Sequence, residues 1–383
     1  MRMGIMGGTL DPVHNGHIAV ARAVCEACGL DGVMLLPAGD PPHKQHRADK
    51  ADRWAMAQLA AGALDWMSAS DLEIVRSGTT YTVDTLEQLC ADRPGVEWVY
   101  IIGADTVNVL ETWRRFDRVA GLCAFAAVGR PGFEAGRAHE HAAQLARAFG
   151  AKIHFLDVDG PAISSTEVRN RVAENRSIAG MVPQAVEAYI REKGLYLCGM
   201  TWAEIDRELA ATLRPARYRH SIGVAETAMR LAPRYGVDPQ RARLAGLLHD
   251  CAKSMDEAEM RRIVKANVPD ADVLELAAGQ VLHAPAGMVV ARQKYGVRDP
   301  EILSAIRKHT LGGADMTPFE ALIYVSDVIE PNRAMYAGLS RARELAGIDL
   351  RAAARYCAQM TKDYVEKSGH GTFHPRTAEM LRS

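Results

Sequence analysis

The chain has 383 residues, 24% of them charged and 48% hydrophobic, with a formal net charge of -1. That length exceeds one ordinary core and predicts two or three domains. Near-neutrality removes the electrostatic case for wrapping nucleic acid or lying on an anionic membrane, and no apolar run approaches the roughly 20 residues that span a bilayer.

The first half alternates strand and helix signals. Met3–Met6 reads as a strand, Ile18–Cys28 as a helix, Val33–Leu36 as a strand and Asp52–Ala63 as a helix. Thr82–Cys90 follows as a helix and Trp98–Ile102 as a strand, and Leu122–Val128 and Ile153–Leu156 are further short apolar runs. Such alternation predicts a doubly wound parallel α/β sheet of Rossmann-like type, with ligands beyond the carboxyl ends of the strands. The character changes near residue 200. From Trp202 onward helices follow one another: Ala203–Leu213, Tyr218–Tyr235, Pro239–His249, Pro285–Tyr295, Pro300–His309 and Phe319–Ile329. The expected organisation is an α/β domain over 1–198 and an all-α domain over 201–383. No internal repeat is visible.

Residues 1–8 lack the apolar core and cleavage site of a signal peptide. Seven cysteines, scattered and odd in number, fit a reducing compartment. Cys25 and Cys28 form a C-x-x-C with no second pair, in a helical stretch, and read as filler rather than a redox or metal site. A cytoplasmic enzyme is expected. Nothing in the residues excludes a homo-oligomer.

The strand at Met3–Met6 runs into Gly7-Gly8-Thr9-Leu10-Asp11-Pro12-Val13-His14-Asn15-Gly16-His17, where a helix begins. Glycines after a strand admit a phosphate close to the backbone, and a helix start adds free N–H groups and partial positive charge. His14 and His17, three apart, can both face a polyphosphate. No covalent nucleophile is present, so the site reads as one that positions and neutralises phosphates. A second element, Ile163-Ser164-Ser165-Thr166-Glu167-Val168-Arg169, has capping-box spacing at Ser164 and Glu167. Its hydroxyls and Arg169 would clasp the outer phosphates of a nucleotide. Taken alone it would be only a well-capped surface helix.

Together these strings resemble the HxGH nucleotidyltransferase superfamily, and within it the bacterial nicotinate-nucleotide adenylyltransferases. The resemblance extends to Pro41-Pro42-His43-Lys44, to Thr79-Thr80-Tyr81-Thr82-Val83-Asp84-Thr85-Leu86, and to Ile102-Gly103-Ala104-Asp105 followed by Trp113. It implies that Gly7, Gly8, Thr9, His14 and His17 meet the phosphates of ATP, with Lys44 reaching them from its loop. It places Tyr81 and Thr82 at the nicotinate end, Trp113 stacked on the pyridine ring, and Gly103 and Asp105 along the nucleotide groove. Ser164, Thr166 and Arg169 would complete the triphosphate cradle. The implied reaction joins ATP, with Mg2+, to nicotinate mononucleotide and releases pyrophosphate. Leu10 departs from the family's usual Phe, an apolar exchange.

The helical half holds an ordered set of metal-ligand types: His220, the doublet His249-Asp250, His283, His309 and Asp327. Imidazoles with carboxylates, and no cysteine ligand, suit Fe, Mn, Zn or Mg over a structural zinc cage. The doublet, with His upstream and Asp downstream, resembles the HD-domain phosphohydrolases, whose four first ligands would map to His220, His249, Asp250 and Asp327. His283 and His309 suit a second metal. Leu248–Lys253, Leu282–Pro285, Ala305–Thr310, Ile329–Arg333 and Phe373–Thr377 narrow the resemblance to the symmetrical diadenosine-tetraphosphate hydrolases of that superfamily. It implies hydrolysis of diadenosine tetraphosphate to two ADP, with iron or another divalent metal. Lys253, Arg333, Thr310, Phe373, His374 and Thr377 would hold the nucleotide. The HD fold also hosts deoxynucleotide triphosphatases and alarmone hydrolases, so substrate is less constrained than reaction type. The alternatives are an adenylyltransferase whose HD half is regulatory, and a non-enzymatic nucleotide sensor.

Overall fold

The computed structural model describes residues 1–39, 47–129, 135–158, 160–368 and 373–382. The chain forms two compact units: Met1–Val172 with Ser177–Ile190, and Ala173–Arg176 with Arg191–Ser383. Among the described residues no helix is long and apolar enough to cross a membrane.

The first unit is a six-stranded parallel sheet with alternating helices, as the sequence predicts. Its elements are β1 (Arg2–Gly8), α1 (Asn15–Ala27), β2 (Gly32–Pro37), α2 (Lys50–Ala61), β3 (Met67–Ala69), α3 (Thr82–Asp92) and β4 (Glu97–Gly103). A 3-10 helix (Ala104–Thr112), α4 (Phe116–Leu122), β5 (Cys123–Gly129), α5 (Ala135–Phe149), β6 (Ile153–Asp157), α6 (Ser165–Ala173) and α7 (Gln184–Lys193) follow. All neighbours pair in parallel, in the order β3-β2-β1-β4-β5-β6. The order reverses between β1 and β4, so the crevice for a ligand opens at the carboxyl ends of those strands. Gly8 ends one and Gly103 the other. All six residues of β2 are buried, because helices cover both faces.

Several elements of this unit escape sequence patterning, the 3-10 helix and α7 among them. β3 has only three residues. α4 ends where β5 starts, so the run Leu122–Val128 divides at Cys123. α5 buries Ala138, Ala142 and Leu145 at helical spacing, a stripe too small in volume to stand out. Helix starts shift to their caps. α1 opens at Asn15, three residues upstream of Ile18, with His14 as its cap, and Asp49 caps α2 by accepting the Asp52 N–H at 3.0 Å.

The second unit is helical: α8 (Trp202–Thr212), α9 (Pro215–Leu231), α10 (Pro239–Leu248), α11 (Glu257–Asn267), α12 (Val273–Ala277), α13 (His283–Gln293) and α14 (Pro300–Lys308). α15 (Pro318–Ile329), α16 (Leu339–Ala346), α17 (Leu350–Ser368) and α18 (Pro375–Met380) complete it. The expected helix Tyr218–Tyr235 ends at Leu231 and tightens to a 3-10 turn over Ala232–Tyr235, where Pro233 lacks an N–H and Gly236 turns left-handed at φ +67°. α17 resembles α5 in burying small residues, Ala353, Ala354, Cys357 and Ala358. α9 and α10 approach closely at Gly246, where a Cβ would stand 2.8 Å from Ala225 Cα and 3.0 Å from its N. Neither is a side-chain tip that could swing away. Gly246→Ala is therefore expected to destabilise the helical unit by about 1–3 kcal/mol, read as a lower thermal midpoint; an unchanged midpoint would contradict this packing.

Candidate active sites

In the first unit the loop after β1 is built around two reciprocal hydrogen bonds. His14 Nδ1 accepts the His17 N–H at 3.3 Å, and His17 Nδ1 accepts the His14 N–H at 3.2 Å. A nitrogen that accepts carries no proton, so each neutral ring bears its proton on Nε2. The rings stack 3.6 Å apart at 26°. Two donors are thus presented side by side at the start of α1, where the helix dipole favours an anion. Gly16 admits the neighbouring segment: a Cβ there would stand 2.9 Å from His14 Nδ1 and 3.4 Å from Ile163 O.

The two phosphate motifs meet. Ser165 Oγ donates to Pro12 O at 3.0 Å, and Arg169 donates to Asp11 O at 2.6 Å and to Thr166 Oγ1 at 3.1 Å. Ser164 Oγ caps α6 by accepting the Glu167 N–H at 3.1 Å, which is one half of the anticipated capping box. Lys44, with Pro41–His43, lies outside the described residues. Two residues that sequence reasoning passed over hold this loop. The buried carboxylate of Asp11 accepts the N–H groups of Arg47 at 2.7 Å and Ala48 at 3.2 Å. Arg53, fully buried on α2, donates to the carbonyls of Thr9, Ala38 and Gly39. Its signal was a lone arginine on the inward face of that helix.

Tyr81 stands at the N-cap position of α3 without a side-chain cap and carries the Arg114 guanidinium 4.5 Å above its ring. Thr82 lies beside the buried Tyr100 phenol. Trp113 follows the 3-10 helix and is half-buried, edge-on to Tyr100 at 5.8 Å and to Phe125 at 6.3 Å. Asp105 is exposed, its carboxylate accepting the Thr106 N–H at 3.0 Å. A Cβ on Gly103 would stand 2.4 Å from that carboxylate.

In the second unit all six expected ligands converge. His220 comes from α9, His249 and Asp250 follow α10, His283 opens α13, His309 follows α14 and Asp327 lies in α15. Three overlapping triads have donor atoms within 4.8 Å of one another: His220–His249–Asp250, His249–His309–Asp327 and Asp250–His283–His309. Asp250 joins them. Its Oδ2 lies 3.4 Å from His249 Nε2, and its Oδ1 lies 3.2 Å from His283 Nε2 and 3.6 Å from His309 Nε2. Asp327 Oδ1 is 2.9 Å from His220 Nε2.

Each histidine is oriented from behind. Nδ1 of His249, His283 and His309 faces the carbonyl three residues earlier: Gly246 at 2.6 Å, Gln280 at 2.9 Å and Ile306 at 2.7 Å. His220 Nδ1 faces the buried Glu330 Oε1 at 3.0 Å. These oxygens only accept, so a proton sits on each Nδ1 and Nε2 points inward. Nε2 of His283 and Nε2 of His309 lie 3.1 Å apart, which calls for a cation or a shared proton between them. His249 Nε2 is buried without a hydrogen-bond partner, and the buried His220 Nε2 and Asp250 Oδ1 face other members of the cluster, Asp327 Oδ1 at 2.9 Å and His283 Nε2 at 3.2 Å. A divalent ion satisfies all of these atoms, so the residues fit a metal.

Electrostatics agree. Burial alone would raise the Asp250 and Asp327 carboxyls, yet imidazoles outweigh it and hold both well below the usual carboxylate range. Burial and neighbouring His309 hold His283 well below the usual imidazole range, hence neutral. Burial lowers the pKa of the Lys253 ammonium, whose Nζ lies beside the His283 ring, 3.1 Å from Nε2 and 3.0 Å from Nδ1. Arg217 donates to Asp250 Oδ2 at 2.8 Å, and Arg333 donates to Asp327 Oδ1 at 2.7 Å. Thr310 Oγ1 lies 3.1 Å from His283 Nε2 and 3.0 Å from His309 Nε2. The carboxyl-terminal string is tied to protein: His374 caps α18 and pairs with Asp272 at 3.3 Å, Thr377 donates to Leu311 O at 2.8 Å, and Phe373 is half-buried.

Fold and site define a nucleotidyltransferase-type unit followed by an HD-type unit. The cytidylyltransferase-like family model matches residues 5–171, and the HD-domain model matches residues 217–332. A Thermoanaerobacter sp. (strain X514) protein named "Probable nicotinate-nucleotide adenylyltransferase" is 41% identical over 199 residues, 51% of this chain and 94% of that one. A Synechococcus sp. (strain JA-3-3Ab) protein of the same name is 41% identical over 202 residues, 51% of this chain and 95% of that one. A solved structure from Clostridium acetobutylicum, described as a "predicted HD superfamily hydrolase involved in NAD metabolism", is 34% identical, covers 48% of this chain and 95% of that one, and has a TM-score of 0.46. Through its first half the chain belongs to the nicotinate-nucleotide adenylyltransferase family, and it carries an HD domain in its second.

Glu330 generates a prediction. Its second oxygen accepts the Asn332 N–H at 2.7 Å, so both oxygens serve as acceptors. A Gln there cannot accept on both sides. Glu330→Gln should weaken divalent-metal affinity roughly 10–100-fold, measured by metal titration; unaltered affinity would remove Glu330 from the support of His220.

Proposed function

We propose that the chain is a bifunctional enzyme: an adenylyltransferase acting on nicotinate mononucleotide over residues 1–198, and a symmetrical diadenosine-tetraphosphate hydrolase over residues 201–383. In the first reaction the 5′-phosphate oxygen of nicotinate mononucleotide bonds to the α-phosphorus of ATP. The bond from that phosphorus to the bridging oxygen breaks, and pyrophosphate leaves with the electron pair, giving deamido-NAD. The paired Nε2 donors of His14 and His17 carry this reading, together with family membership. They would neutralise the triphosphate with Mg2+, Gly7, Gly8, Thr9 and Lys44. Ser164, Thr166 and Arg169 would close the cradle, Gly103 and Asp105 would line the nucleotide groove, and Tyr81, Thr82 and Trp113 would receive the pyridine end. No covalent intermediate is needed.

For the second reaction the carrying observation is the pair of triads sharing Asp250, which supports a two-metal centre of iron or another divalent ion. A divalent ion in such a site supplies Lewis acidity and makes water nucleophilic near neutral pH. Water oxygen adds to an inner phosphorus, the central P–O–P bridge breaks, and two ADP and protons result. His220, His249, Asp250, His283, His309 and Asp327 would hold the metal. Lys253, Arg333 and Thr310 would steady the phosphates, while Phe373, His374 and Thr377 would close the nucleotide side.

The two activities separate by mutation. His17→Ala should lower adenylyl transfer at least about 100-fold and leave tetraphosphate hydrolysis intact. Asp250→Ala should do the reverse and also empty the metal site. Product analysis with each substrate pair decides: loss of both activities in either variant would contradict two independent sites, and metal-loaded wild type inert toward diadenosine tetraphosphate would overturn the second assignment. Trp113→Ala should raise the KM for nicotinate mononucleotide more than that for ATP; equal effects would remove Trp113 from the pyridine end.

A further inference from the structure

Beside the metal centre the chain leaves an apolar pair in water. Met335 is 66% exposed and Tyr336 is 44% exposed, adjacent in sequence, in the segment between α15 and α16. Soluble surfaces expose single apolar residues freely, but an aromatic and a methionine together next to a cluster of cations call for an occupant.

The segment carrying them is held from several sides. Asn332 N–H donates to Glu330 Oε2 at 2.7 Å, and Arg343 donates to Ile329 O at 3.0 Å and Glu330 O at 2.9 Å. Arg343 Nη1 also lies 3.6 Å from Met335 Sδ. Gly338, left-handed at φ +93°, lies so close to α17 that a Cβ would stand 2.6 Å from Met360 Sδ. Tyr336 Oη lies 3.5 Å from the carbonyl of Val328, the residue after Asp327. The phenol is thus placed one residue along α15 from Asp327, whose carboxylate Arg333 holds at 2.7 Å.

We propose that Met335 and Tyr336 form a platform on which the base of a purine nucleotide stacks while its phosphates lie against the metal centre. The inference rests on reading this half as a nucleotide phosphohydrolase, and it deepens that reading by making the site select nucleotides over bare phosphoanhydrides. Charge fits the occupant. Arg217, Lys253 and Arg333 supply cations for phosphates, whereas Met335 and Tyr336 offer a polarizable, uncharged face suited to a base.

The test uses the full chain loaded with manganese, and ADP and pyrophosphate as probes. Tyr336→Trp places a reporter at the platform, and subtracting the wild-type signal removes any contribution from the first unit. ADP should quench the added fluorescence and pyrophosphate should not. Tyr336→Ala should keep its metal content and its affinity for pyrophosphate while raising the KM for diadenosine tetraphosphate about tenfold; Tyr336→Phe should behave as wild type. Equal quenching by pyrophosphate, no quenching by ADP, or unchanged KM in Tyr336→Ala would overturn the platform. Quenching by ADP in a protein that hydrolyses no dinucleotide would sink the hydrolase reading and leave the platform standing.

Discussion

Both candidate sites depend on which nitrogen of an imidazole the backbone claims. In the first unit, backbone N–H groups donate to Nδ1 of His14 and His17, so the proton must sit on Nε2. In the second, carbonyls and a carboxylate face Nδ1 of His220, His249, His283 and His309, so a proton sits on Nδ1 and Nε2 is turned inward toward the carboxylates of Asp250 and Asp327. The same side chain is thereby suited to donate to anions in one unit and to bind a cation in the other. Everything proposed about the chemistry follows from that choice.

The scaffolds enforce it by local means. His14 is the cap of α1, and a cap residue necessarily faces the orphan N–H groups of its helix start. His249 and His309 follow the last turns of α10 and α14, and His283 opens α13; each has the carbonyl three residues earlier within reach. The helix end that supplies the acceptor also supplies the ligand. His220 lies within α9, where its own backbone is satisfied, so it relies on Glu330 instead. Gly223 makes room for that carboxylate, since a Cβ there would stand 2.4 Å from its Oε2.

Much of this was legible in the sequence. Strand–helix alternation followed by unbroken helices pointed to the fold class, and the six candidate ligand residues were visible as ordered residue types, which the structure brings together. Less legible were elements that bury small residues, such as α5 and α17, because alanine carries little hydrophobic contrast. Asp11, Arg53 and Glu330 were also missed as supports. Their role lies in pairing with main-chain groups or with residues far along the chain, which no local spacing reveals. The ion pair of Arg217 with Asp250 likewise needed three dimensions. The His374 and Thr377 side chains, expected to face nucleotide, also anchor α18 to Asp272 and Leu311.

The most direct test is nitrogen NMR of the histidine rings in the metal-free protein, which distinguishes a protonated Nδ1 from a protonated Nε2. Assigned by single substitutions, His14 and His17 should carry the proton on Nε2, and His220, His249, His283 and His309 should all be protonated at Nδ1. One common tautomer across the two groups would contradict the account.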